Sequence, residues 1–174
     1  TPSYDEDVYN ARMDMMFHSV MKIITLHRNM YPIRKLRILN LGDNVQGENP
    51  FQGSKIGSVR MGVRDQIAKL AFPAHAKLIA SLKQEFESVT EECYGGNHGH
   101  ERLAPETSRA DFALYDVLQA YFADKKGITI NIHEHFGDII SIQGFRFFCF
   151  HGDQIACHQG IPFFALNRKL DKWF

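Results

Sequence analysis

The stretch Leu36-Arg37-Ile38-Leu39-Asn40-Leu41-Gly42-Asp43-Asn44 decides how this chain is read. Its first part is an apolar run, broken by Arg37 and Asn40, with the length of an inner strand; its second part is a turn. The same grammar recurs twice. Val89 to Tyr94 runs into Gly95-Gly96-Asn97-His98-Gly99, and Phe145 to Phe150 runs into His151-Gly152-Asp153. Each run ends where glycines free the backbone to turn, and each turn delivers an oxygen or nitrogen donor. A carboxylate, an amide and an imidazole meeting at strand ends form a donor set suited to a hard-to-borderline divalent metal.

Outward from these runs the order is α/β. Val8, Ala11, Met15, Val20, Ile23, Ile24 and Met30 recur at mostly helical spacing, so Asp5 to Met30 is expected as one amphipathic helix closed by Pro32. Residues 43–54 form a Gly/Asn/Pro-rich loop, and Ile56 to about Glu87 reads as helix, kinked or split at Pro73. After a second polar loop, Gly95 to Glu106, Thr107 is expected to cap a helix running to Asp124. Ile128 to Ile132, Asp138 to Ile142 and Phe145 to Phe150 read as strands, the last two joined by a Gln143-Gly144 hairpin. Helices alternating with strands, then a strand-rich half, suit two packed sheets flanked by helices, with ligands beyond the carboxyl ends of strands. No repeat or linker divides the sequence, so residues 1–174 are expected as one domain.

Composition narrows the function classes. Lys+Arg and Asp+Glu each total 20, so the whole chain has no electrostatic footprint for a nucleic acid or an anionic membrane. Cys93, Cys149 and Cys157 follow no disulfide-framework spacing and point to a reducing, cytoplasmic compartment. No apolar run approaches the roughly 20 residues of a membrane span.

The three turns, in this order, resemble motifs of the calcineurin-like metallophosphoesterase superfamily, over roughly residues 36–153. Gly42 to Gly53 and Gly96-Asn97-His98-Gly99 look most like the branch found in phage and prophage genomes, some members of which are distantly similar to repair nucleases. The resemblance implies a four-layer α/β/β/α sandwich with two mixed sheets. It implies two divalent metal ions, manganese foremost with iron, zinc or magnesium as alternatives. Asp43 would bridge the ions, Asn97 and His151 would be ligands, and His98 would be the catalytic acid. The family's opening Asp-x-His and closing Gly-His-x-His do not occur in the sequence. The chain is therefore expected to be an interior fragment, incomplete at both ends and catalytically poor alone.

The residue types suit that chemistry. A paired-metal site clamps a phosphate and lowers the pKa of a water. A carboxylate such as Asp43 offsets the repulsion between two cations, whereas a neutral amide such as Asn97 ligates without repelling an anionic substrate. A histidine placed as His98 is can protonate a leaving-group oxygen. Each has a plainer reading: an Asx turn for Asp43, a left-handed turn for Asn97, a loop residue for His98, a strand cap for His151. Gly99 stands where many family members carry an acid that orients the catalytic histidine, so Asp153, or more weakly Glu101, is a candidate substitute.

Arg102 and Arg109 flank the Asn-His loop as candidate phosphate contacts, and Gln46, Glu48 and Asn49 line the loop after Asp43. His133 and His135 share a strand face, and a zinc site from Cys149, Cys157 and His158 matches no common spacing. The expected function is a metal-dependent phosphoesterase that hydrolyses a phosphodiester, with DNA or a nucleotide among the candidates, or a phosphomonoester, through metal-activated water. The alternatives are a catalytically decayed nucleic-acid-binding or accessory module and a purely structural α/β domain.

Overall fold

In a computed structural model that describes residues 5–48, 59–100, 104–153, 155 and 163–173, helices and strands alternate as far as His133 and a hairpin follows. Helix α1 spans Glu6–Arg28, starting where the Asp5 carboxylate accepts the Val8 N–H at 3.1 Å. Strand β1 (Lys35–Asn40) leads to α2 (Val63–Asp65), a π-helical stretch (Gln66–Ala71) and α3 (Phe72–Glu85). Strand β2 (Ser88–Tyr94), α4 (Ala110–Phe122), β3 (Ile128–His133), β4 (Gly137–Ile142), β5 (Phe145–Phe150) and α5 (Phe163–Trp173) complete the order.

Strands β1, β2 and β3 form a parallel sheet with β2 central, and β4 and β5 form a separate antiparallel pair. Among the described residues neither is mixed, where mixed sheets were expected. The connections explain this: helical crossovers leave strands parallel, and the tight Gln143-Gly144 turn forces antiparallel pairing. Alternation along β2 separates two cores. Val89 and Cys93 face the helices, packing with Ile79, Leu82, Leu114, Tyr115, Leu118 and Phe122. Tyr94 faces the other way, against Ile140 and Cys149 of the hairpin, with Leu39 and Ile142 beside them.

Pro73 does not break the second helix. It lies in the first turn of α3, directly after the π-helical turns, whose last cap bond runs from the Phe72 N–H to the Ile67 carbonyl. Widened turns relieve the clash between a proline ring and the carbonyl four residues back. Thr107, expected as a helix cap, lies instead in a short 3₁₀ turn, Glu106–Ser108, and α4 starts at Ala110 after an extended Arg109. Cys93 and Cys149 are buried free thiols, and burial pushes both thiols up. Among the described residues no helix is long and apolar enough to cross a membrane.

His75 on α3 carries a pH liability. Its Nδ1 is shut off from water with no hydrogen-bond partner among the described residues, and burial lowers its pKa from 6.5 to about 4, against an opposing pull from Asp111. The folded state therefore holds His75 neutral. That contribution is complete above pH 6.5 and is lost as pH falls toward 4. The loss should be on the order of 1–3 kcal/mol. Urea midpoints measured across that interval should fall less steeply for His75→Leu than for the parent; equal slopes would assign the acid sensitivity elsewhere.

Candidate metal centre

Parallel pairing places Asn40 of β1 beside Cys93 of β2, so the turns that follow leave the sheet edge together. They touch through glycine. A Cβ on Gly42 would lie 2.2 Å from the Gly96 nitrogen, and one on Gly96 would lie 2.2 Å from the Asp43 nitrogen and Oδ1. No side chain fits at either position. Asp43 itself adopts φ 59°, a left-handed conformation that costs a non-glycine residue on the order of 1 kcal/mol and persists only where surroundings enforce it.

The enforcing group is Asp111, wholly buried in the first turn of α4. Its Oδ2 accepts the backbone N–H groups of Asp43 at 2.9 Å and Gly96 at 2.8 Å. Its Oδ1 accepts the Asn44 backbone N–H and the Asn44 side-chain amide, each at 2.9 Å. One carboxylate thus ties both turns together. Around it, Asn44 Nδ2 also lies 3.1 Å from Asn40 Oδ1 and 2.7 Å from the Tyr115 hydroxyl, which lies 2.9 Å from the Tyr94 carbonyl. Gln66, on the π-helical stretch, accepts from the N–H groups of Gln46 and Gly47 and donates to the carbonyls of Gly47 and Met61.

The four principal residues named from sequence come together on this frame. The His98 N–H donates to Asp43 Oδ1 at 2.8 Å, and His98 Nε2 lies 3.9 Å from Asp43 Oδ2. His151 arrives from the end of β5 and donates Nδ1–H to the Leu41 carbonyl at 2.6 Å. In the neutral ring Nε2 then keeps its lone pair. That lone pair lies 2.8 Å from Asn97 Oδ1 and 3.3 Å from Asp43 Oδ2. Two oxygens meeting one imidazole nitrogen are a donor set of the kind that could hold a divalent cation, with the carbonyl on Nδ1 favouring the ligand tautomer.

Arg109 is placed otherwise than as a phosphate fork. It is 7% exposed, and its guanidinium donates to the Gly96 carbonyl and to Glu106, the latter from Nε at 2.8 Å. There it braces the back of the Asn-His loop. Asp153 lies 3.7 Å from the same guanidinium. Both border a cavity of about 220 Å³ that opens beside His151 and is also lined by Glu134, His135 and Phe136. Glu48 accepts the Val63 N–H at 3.1 Å and so caps α2, and Arg60 pairs with Glu6 at 3.3 Å. Asn49, Lys55, Glu101, Arg102, Cys157 and His158 lie outside the described residues.

Asp111 was not singled out from sequence. Its signal was a lone acid at the head of an otherwise apolar segment, Ala110-Asp111-Phe112-Ala113-Leu114-Tyr115, which in sequence reads only as an acid in the first turn of a helix. No protein-family model, curated protein or solved structure matches this chain.

Proposed function

We propose that Asp43, Asn97, His98 and His151 form part of the site of a metal-dependent phosphoesterase, in a fold of the calcineurin-like α/β/β/α type, acting on a phosphodiester. One observation carries the reading: Asp43 Oδ2, Asn97 Oδ1 and His151 Nε2 converge while His151 Nδ1 is committed to a backbone carbonyl. With a neutral His151 ring, a cation is what would satisfy the lone pairs that meet there.

Asp43, Asn97 and His151 would hold a divalent cation, manganese first among the candidates, with a second cation sharing Asp43. Bound there, the ions would supply Lewis-acid polarisation of the phosphate and activation of water. Asn97 binds without adding negative charge against the substrate. His98, held by its backbone on Asp43 and with its ring Nε2 3.9 Å from Asp43 Oδ2, would carry a proton toward the leaving-group oxygen. Gly42 and Gly96 keep the floor of the site free of side chains.

The test is Mn²⁺ binding followed by electron paramagnetic resonance, beside hydrolysis of a chromogenic phosphodiester. Asp43→Asn should weaken Mn²⁺ binding and abolish whatever turnover the parent shows. An unchanged Mn²⁺ affinity in that variant would remove the assignment.

A further inference from the structure

We propose a second divalent transition-metal site where β3 meets β4, with His133 Nδ1, His135 and the Asp138 carboxylate as ligands and a zinc-class cation as occupant. The candidate ligand atoms all lie within 4.8 Å of one another. None of them belongs to the Asp43 centre, so the inference stands independently of the proposed activity.

The polarity of the His133 ring carries the argument. His133 ends β3 beside Tyr94, and the two rings stack with centroids 4.5 Å apart and planes 6° apart. Stacking fixes the plane of the His133 ring, and its polar partners fix which edge each nitrogen occupies. Nε2 points at Glu92 Oε2, 2.9 Å away, and the same oxygen accepts from the Asn131 amide at 3.0 Å. Glu92 Oε2 already accepts from the Asn131 amide, so a neutral imidazole meets it with the proton on Nε2.

Nδ1 of the neutral ring therefore presents a lone pair, and it faces Asp138 Oδ2 at 3.3 Å. Two acceptors oppose each other, and His135 adds a third donor with its ring edge-on to His133. Ligand atoms about 2.0–2.1 Å from a tetrahedral zinc lie about 3.4 Å apart, close to the observed separation. Glu92, His133 and the ion would form the carboxylate–histidine–metal chain that orients a ligand and raises its basicity. Imidazole and carboxylate donors suit zinc, nickel or copper better than calcium or magnesium. Arg37 lies 3.5 Å from Glu92 Oε1 and offsets that buried charge, leaving the Asp138 charge for the cation.

The competing arrangement is a protonated His133 bridging Glu92 and Asp138 as an ion-pair cluster. That arrangement has no use for His135, which is exposed. Zinc alone is the probe, titrated against a chromophoric chelator into a protein carrying Asp43→Asn and His151→Asn to weaken the other centre. One equivalent should bind. His135→Ala and Asp138→Asn, both solvent-accessible, should each lower the affinity at least tenfold with the circular dichroism unchanged. Glu92→Gln should lower it by about 10–100-fold. Nitrogen-15 spectra should place the metal on Nδ1 of His133. Failure of the parent to take up zinc, or equal affinity in the His135→Ala and Asp138→Asn proteins, overturns the site.

Discussion

Asp111→Ala should lower the unfolding free energy by about 3–5 kcal/mol, the largest stability loss expected from a single polar substitution among the described residues. The carboxylate is fully buried and accepts from Asp43, Asn44 and Gly96 backbone N–H groups and from the Asn44 amide. Alanine takes the acceptor from the three backbone N–H groups, while the Asn44 amide keeps Asn40 and Tyr115, and each stranded donor costs about 1–3 kcal/mol before relaxation. Asp111→Asn should cost less, because one oxygen still accepts, yet its amide hydrogens would face backbone hydrogens. Asp116→Ala, exposed on the same helix, should change stability by less than about 0.5 kcal/mol. Urea denaturation of the three variants decides the matter. A loss below 1 kcal/mol for Asp111→Ala would mean that the two turns are held by something other than this carboxylate.

The second large effect is catalytic and rests on the proposed activity. His98→Asn should slow phosphodiester hydrolysis by roughly 10²–10⁴-fold, the usual contribution of a positioned acid or base. Metal occupancy should be largely intact, because the 2.8 Å bond to Asp43 comes from the His98 backbone N–H, which asparagine keeps. The loss should shrink for a nitrophenolate leaving group, which departs without a proton. His151→Asn should instead lower metal affinity and rate together, since it removes Nε2 from the convergence with Asn97 and Asp43. Metal stoichiometry beside rates on paired good and poor leaving groups separates the roles. Equal loss of metal in both variants, or equal slowing on both substrates, would make His98 a ligand or a phosphate contact.

What the sequence determined by itself was local. Short apolar runs ending in glycine turns located β1, β2 and β5, and the turns named Asp43, Asn97, His98 and His151 before any contact was known. Those signals are legible because strand period, glycine freedom and donor type each act over a few residues. Tertiary structure decided what depends on distant partners. Asp111 reaches Asp43 across 68 positions and Gly96 across 15, and nothing in its own neighbourhood says which N–H groups it will meet. Arg109 reads in sequence as a cation beside a loop, and only packing turns its guanidinium inward onto the Gly96 carbonyl. His133 and His135 read as two residues on one strand face until the hairpin carries Asp138 to within 3.3 Å of His133. A metal donor set needs atoms a few ångströms apart in space, and sequence spacing fixes that distance only when the ligands share one element.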